Sequence, residues 1–284
     1  DSSYNRYSKI PSLMSVDKFS GAGLWADLIE AIDEIQKNHE VIVPTITFIA
    51  PINAVSYNGA TPIFMDADNC LNIEQDKTIK FLEKSTYIHD GFTYNIKTKK
   101  RIAAIIFVHT FGNLCKIDKL LTECKKRNII TIEDAAESLG SYYNRGKFKN
   151  KYAGTVADIG CYSFNGNKII TTGAGGALVT NNKKFYTLAS YLSSQAKDDP
   201  LHYIHNTIGY NLKMPNLSAA LGCSQIEKIL IKIKKKKNIF LLYKKYLKSL
   251  NFINFIEPPN YSNSNYWLIL VVINFYKEKK NKFN

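Results

Sequence analysis

A nearly continuous apolar run, Ile102–Val108, constrains the fold of this chain more than any other segment. Such a run is typical of a strand in a parallel sheet that helices cover on both faces. Helical patterns occur at Asp27–Lys37 and Ile117–Arg127, between stretches that we interpret as strands. Further short strands are predicted at Val41–Val43, Pro62–Asp66, Ile129–Ile132, Ile159–Phe164 and Ala177–Val179. The alternation of strands and helices from about residue 24 to 195 predicts an α/β domain with a mostly parallel sheet.

The pattern changes near Pro215. Residues 217–250 have the apolar spacing of a long helix, and Glu257–Asn260 ends it. Tyr266–Ile273 then indicates a strand of a second, smaller domain. We therefore predict a large domain over residues 1–215 and part of a small C-terminal domain over 216–284, with further chain expected beyond both ends.

The composition narrows the functional classes. The net charge of +14 could indicate a nucleic-acid partner, but lysines such as those at 234–237 are also typical of a solvated helix face, which we favour. The five cysteines form no CxxC pair and the histidines form no HExxH pattern, so neither a disulfide framework nor a zinc site is indicated. No apolar run is long enough to predict a membrane span, and a cytoplasmic protein is expected.

Three segments place reactive groups where predicted strands end. Asp134 follows one buried strand, Ser163 ends another, and Lys168 lies on the loop beyond it. A glycine-rich turn, 171–176, comes next. Ligands of open α/β sheets bind at the carboxyl ends of the strands, so we expect these groups to converge there.

The same segments carry a family resemblance. They resemble the DegT/DnrJ/EryC1/StrS sugar aminotransferases, which are fold-type I enzymes that depend on pyridoxal phosphate (PLP). The matching stretches are PTITFIAPINAVSYNGATPIFMD (44–66), IEDAAESLGS (132–141), SFNGNKIITTGAGGALVTNN (163–182) and IGYNLKMPNLSAALGCSQIE (208–227). The resemblance thus implies a fold-type I PLP transferase over most of residues 40–230.

The resemblance also implies the principal roles. Lys168 matches the lysine that binds the cofactor aldehyde as a Schiff base and then moves protons between carbons. Asp134 matches the carboxylate that keeps the pyridine nitrogen protonated, so that the ring accepts electrons. The sequence without the resemblance would indicate only a surface lysine at position 168 and a helix N-cap at Asp134.

The remaining cofactor contacts are implied in the same way. Phe48 would stack on the cofactor ring, Ser163 would bind its phosphate, and Glu137 would lie near its phenolic oxygen. Ala22 and Gly23, in Ser20–Gly23, would bind the phosphate through backbone N–H groups, although this loop lacks the family's threonine.

A shared active site is implied by the segment around Asn211. In the family, the asparagine of a Gly-Tyr-Asn motif reaches the phosphate of the neighbouring subunit, so a homodimer is expected. The family's following Tyr-Arg reads Leu212–Lys213 here, which keeps a positive charge but loses the bidentate fork of arginine.

The expected reaction moves an amino group from L-glutamate to a nucleotide-linked 4-keto-6-deoxy sugar, with UDP as the expected nucleotide, for surface-polysaccharide synthesis. Two other readings inside the family are a PLP-dependent sugar dehydratase, in which histidine replaces the lysine, and a non-catalytic remnant. The presence of Lys168 opposes the first, and the intact Asp134, Ser163 and Lys168 oppose the second.

Overall fold

The computed structural model describes residues 35–199 and 201–274. The strands are β1 (Glu40–Pro44), β2 (Thr61–Met65), β3 (Thr86–His89), β4 (Phe92–Asn95), β5 (Ile102–Val108), β6 (Ile130–Asp134), β7 (Tyr142–Tyr143), β8 (Ile159–Ser163), β9 (Gly176–Val179), β10 (Ile253–Phe255), β11 (Ser262–Asn263) and β12 (Val271–Ile273). The α-helices are α1 (Ile49–Tyr57), α2 (Gln75–Ser85), α3 (Asp118–Lys126), α4 (Lys183–Leu192), α5 (Asn216–Ile226) and α6 (Ile229–Tyr246).

Six of these strands form the central sheet, in the order β2-β1-β5-β6-β8-β9. Every neighbouring pair is parallel except β8 and β9, which run antiparallel. The predicted mostly parallel sheet is therefore confirmed. Because the parallel strands point the same way, the residues that follow β1, β5, β6 and β8 meet at one edge of the sheet.

Strand β5 shows why the apolar run is continuous. All of its residues are buried. Ile105 and Phe107 point into one hydrophobic cluster, whereas Ile106 and Val108 point into the cluster on the opposite face. Alternate side chains of a strand lie on opposite faces, so a sheet with a core on each side requires apolar residues at successive positions.

Three predicted elements are wrong in extent. The long helix predicted over 217–250 is two helices, α5 and α6, separated at Glu227 and Lys228. The strand predicted over Tyr266–Ile273 is reduced to β12, since Tyr266 has a left-handed backbone with φ of 54°. Residues 35–37 at the end of the predicted helix Asp27–Lys37 are not helical, and the rest of that segment lies outside the described residues.

The lost strand has a physical reason. The side chain of Asn265 is fully buried, and its Nδ2 donates to the carbonyls of Glu137 and Leu139, at 2.9 and 3.0 Å. Its backbone N–H also donates to Ser141 Oγ, at 2.9 Å. These bonds attach the segment to the turn after β6 instead of to a neighbouring strand.

A buried carboxylate holds several loops together below the sheet edge. Glu133 Oε1 accepts hydrogen bonds from His109 Nε2 and Gly154 N, and Oε2 accepts from Val156 N and Ala157 N, at 2.7 to 3.1 Å. His109 Nδ1 accepts from Cys115 N at 3.1 Å, which leaves the proton on Nε2. A buried charge is tolerated only with such partners, so Glu133 ties β5 and the loop before β8 to β6.

Glu133→Gln should lower the free energy of unfolding by about 2–4 kcal/mol. The new amide group would face donors where the carboxylate accepted, so at least one buried donor would lose its partner. Urea unfolding measures the change, with the exposed Glu83→Gln as the matched control that stays within about 0.5 kcal/mol of wild type. Equal midpoints for the two variants would contradict this role for Glu133.

Candidate active site

Asp134 ends β6 and is buried, as expected for a ligand-binding residue at the carboxyl edge of the sheet. Its Oδ1 accepts a hydrogen bond from Ala136 N at 2.9 Å. Burial raises the pKa of Asp134 from 3.8 to about 7, while the Ala136 N–H and the charge of Lys168 lower it. Burial therefore stabilises the protonated form of this carboxyl, whereas a nearby positive charge stabilises the ionised form.

Glu137 lies in the turn that follows β6. Its side chain is buried, and Oε2 accepts a hydrogen bond from Phe111 N at 2.6 Å. Burial raises the pKa of Glu137, and the Phe111 N–H and the Lys168 charge partly offset that effect. Lys168 is near enough for its charge to lower the pKa values of both Asp134 and Glu137.

Lys168 lies on a loop that is fixed at both ends, which we call the lysine loop (164–175). Ser163, the last residue of β8, pairs with Gly176 of β9. Inside the loop, Phe164 N donates to Gly175 O at 2.8 Å, and Thr172 N donates to Phe164 O at 2.9 Å. Ser163 Oγ accepts from Asn165 N at 3.4 Å, so its hydroxyl is directed at the start of the loop.

The glycine-rich turn closes the lysine loop. Gly173 and Gly175 have φ values of 83° and 105°, in the left-handed region that residues with a Cβ avoid. The glycines of the 171–176 segment are thus explained by the left-handed backbone of the turn that returns the chain to β9.

Two aromatic residues of the site were missed by the sequence interpretation. The ring centroid of Trp267 lies 4.4 Å from Lys168 Nζ, and its Nε1 donates to Asn167 O at 2.7 Å. The ring of Phe111 stacks on Trp267, with centroids 6.4 Å apart. Phe111 has a left-handed backbone with φ of 58°, and its N–H donates to Glu137. The only sequence signal for Trp267 is that the chain has two tryptophans, and no spacing connects it to Lys168.

Two further residues predicted to contact the cofactor, Phe48 and Asn211, have exposed side chains. Phe48 lies between β1 and α1 and is 67% exposed, so it is not a core phenylalanine. Asn211 is exposed, and its backbone forms a bridge with Ser194. Ala22 and Gly23 lie outside the described residues.

The described residues fit PLP. A buried carboxyl with a raised pKa suits a protonated ring nitrogen, which would supply the missing positive charge. Lys168 offers an amine for the cofactor aldehyde, and Ser163 offers a hydroxyl for its phosphate.

Within 35–199 and 201–274, no group of three or more His, Cys, Asp or Glu side chains is arranged to hold a metal ion. No helix in that same part of the chain is long and apolar enough to span a membrane.

Asp134→Asn should stabilise the cofactor-free protein, and increasingly so as the pH rises. The pKa of Asp134 is higher in the folded protein, about 7, than the ordinary 3.8, so its contribution to stability is present below about pH 4 and is lost as the pH rises through 7. Asparagine does not ionise, and the difference in unfolding free energy should reach up to about 4 kcal/mol above pH 7.

Urea unfolding at several pH values tests this expectation. The control is Asp90→Asn, because the side chain of Asp90 is 84% exposed. A pH-independent difference between Asp134→Asn and wild type would show that burial does not perturb this carboxyl.

Sequence comparisons agree on one family. The chain is 36% identical over 246 residues to a GDP-perosamine synthase of Escherichia coli O157:H7, which covers 87% of this chain and 62% of that protein. It is 31% identical over 251 residues to a UDP-4-amino-4,6-dideoxy-N-acetyl-beta-L-altrosamine transaminase of Campylobacter jejuni, with the same two coverages, 87% and 62%. The chain thus spans less than two thirds of the length of these relatives.

A solved structure shows the same fold. It is a Helicobacter pylori aminotransferase involved in the biosynthesis of pseudoaminic acid, with a TM-score of 0.75 and 25% identity. The similarity covers 91% of this chain and 66% of that one. Aminotransferases of the family depend on PLP. With residues 23–283 matching its sequence pattern, the chain belongs to the DegT/DnrJ/EryC1/StrS aminotransferase family.

Proposed function

We propose that this chain carries the catalytic site of a PLP-dependent aminotransferase that transfers an amino group from L-glutamate to a nucleotide-linked 4-keto-6-deoxy sugar. The product would be an aminosugar for surface polysaccharide. The observation that carries the proposal is the buried carboxyl of Asp134 at the sheet edge, within electrostatic reach of Lys168. The two relatives' names specify GDP in one and UDP in the other, so the proposal covers nucleotide-linked sugars as a class.

Bound PLP would supply an aldehyde and an electron-accepting ring. The Lys168 amine would bind that aldehyde, give way to the substrate amine, and then take a proton from the carbon that bears the amine. Ser163, near the start of the lysine loop, would donate to the phosphate. Phe48, whose side chain is exposed, would cover one face of the ring.

Asp134 would hold the proton on the ring nitrogen. Its pKa of about 7 belongs to the protein alone, and an adjacent cation lowers the pKa of a carboxyl. Nitrogen and carboxyl would therefore form an ion pair away from water. Glu137, whose pKa is also raised, would be able to carry a proton and donate it to the phenolic oxygen.

The phosphate site would be completed by Ala22, Gly23 and a second copy of the chain. Asn211 is exposed, and an amide donor there would add a charge-assisted bond to the partner's phosphate. Exposed apolar side chains on the same part of the chain support a homodimer, since Ile208 and Leu217 are 81% and 87% exposed and α5 buries no residue.

Five unpaired cysteines support a reducing, cytoplasmic location.

Borohydride treatment of the PLP-loaded protein should fix the cofactor to Lys168, since reduction makes the lysine linkage permanent. Peptide mapping identifies the labelled lysine. Lys168→Arg should remove the label, whereas Lys147→Arg, at an exposed position, should keep it. Label on a different lysine would refute the assignment, and wild type that takes up no PLP would favour the non-catalytic remnant.

PLP should shift the chain toward a dimer, because only the dimer would complete the phosphate site. Analytical ultracentrifugation with and without PLP measures the shift. Asn211→Ala should weaken the shift by roughly tenfold in dimer affinity, as expected for one charge-assisted bond. The control Asn181→Ala, also exposed, should behave as wild type. A monomer that binds PLP tightly would contradict the shared site.

A further inference from the structure

We propose that Trp267 is a positioning residue for Lys168: the face of its ring holds the lysine ammonium when the amine is not bound to the cofactor. This inference rests on the proposed role of Lys168. It assigns a function in the site to a residue near the C-terminal end of the described chain, about a hundred residues from the lysine.

The ring of Trp267 is held from several sides. Its Nε1 donates to Asn167 O at 2.7 Å, its ring lies nearly parallel to that of Phe111, with an interplanar angle of 14°, and its backbone N–H donates to Asn265 Oδ1 at 2.9 Å. The residue is only 5% exposed. A ring fixed in this way cannot follow the lysine, so the lysine must come to the ring.

The contact with Lys168 is of the cation–π kind. Nζ lies 4.4 Å from the ring centroid, within the range in which the negative face of an indole attracts an ammonium. Such contacts favour the held position by about two- to thirtyfold, more when water is excluded. Other lysines lie over aromatic rings at exposed positions, for example Lys245 over Tyr246 at 5.9 Å, where water competes with the ring.

The same tryptophan is coupled to the carboxylates. Asn265, which binds its backbone, also donates to the carbonyl of Glu137, and Phe111, which stacks on its ring, donates to the Glu137 carboxylate. The position of the ring is therefore fixed relative to the end of β6, which carries Asp134, and to the following turn, which carries Glu137. A lysine on this ring has a defined distance to both carboxyls.

A defined resting position matters for the proposed reaction. The donor amine would displace Lys168 in the first half of the transfer, and Lys168 would displace the product amine at the end of the second half. Between these two events it must carry protons without leaving the site. A flexible lysine side chain loses rotamer freedom when it is ordered, so a preformed resting place keeps the amine near the carbon it must serve.

The decisive experiment measures the reactivity of Lys168 in the cofactor-free protein. Pulse acetylation with acetic anhydride, followed by peptide mass spectrometry, gives a rate for each lysine. Trp267→Leu should raise the acetylation rate of Lys168 at least threefold and leave the other lysines unchanged, because the ammonium loses both its cover and its electrostatic partner. The matched control, Tyr246→Leu, should leave Lys168 at the wild-type rate.

A shape-preserving substitution separates the ring's charge distribution from its packing. Replacement of tryptophan by ring-fluorinated tryptophan, in a Trp25→Phe background, weakens the negative face at Trp267 and keeps the indole shape and its N–H donor. Lys168 acetylation should rise about twofold or more relative to the same background with ordinary tryptophan. This comparison remains available if Trp267→Leu fails to fold.

The outcomes separate this proposal from the proposed function. An unchanged Lys168 rate with fluorinated tryptophan overturns the role of Trp267, even where borohydride labels Lys168. A wild-type protein that is not labelled at Lys168 overturns the function proposed above, whatever the acetylation rates. A rise in the reactivity of many lysines in Trp267→Leu would mean that this variant has lost its structure generally, and the comparison with fluorinated tryptophan then decides the role of Trp267.

Discussion

The burial of two successive carboxylates at the end of one strand is the constraint on which this structure depends. Glu133 and Asp134 face opposite sides of β6, and the protein treats them differently. Glu133 receives four hydrogen bonds and serves only the scaffold. Asp134 receives one described backbone hydrogen bond and keeps a raised pKa. Asp134, which accepts fewer hydrogen bonds than Glu133, is the member of the pair that we propose as a ligand-binding residue.

The hydrogen bonds that tie the loops together and the carboxyl with the raised pKa therefore lie on opposite faces of the same strand. The Glu133 side holds the loops that follow β5 and precede β8, so the strand ends that carry the site cannot move apart. The Asp134 side carries an electrostatic cost that a cationic ligand relieves. Strain at a site is tolerated where the surrounding structure fixes it, and here the neighbouring residue provides that support.

The sequence predicted the features that depend on local patterns. The buried strand β5, the mostly parallel sheet and the positions of Asp134 and Lys168 all follow from short runs of residues. Trp267 could not be predicted, because its contact with Asn167 spans a hundred residues and depends on the buried side chain of Asn265. The sequence predicted one helix where the structure has two, α5 and α6. A break of only two residues leaves the spacing of apolar residues almost unchanged, so the pattern does not reveal it. The division of the chain at residue 215 stays a prediction, and residues 262–263 pair with β7 of the larger part.

The reversal of β9 has an evolutionary consequence. Since β9 runs antiparallel to β8, Ser163 and Gly176 are partners, and both ends of the lysine loop are anchored at one point of the sheet. An insertion between them would lengthen a loop whose two ends are held together, and we expect it to move Lys168 relative to the carboxyls. The hairpin of β3 and β4, at a separate two-stranded sheet, bears no such restriction. Lineages of this protein are free to change length at that hairpin, whereas the lysine loop is expected to vary in side chains alone.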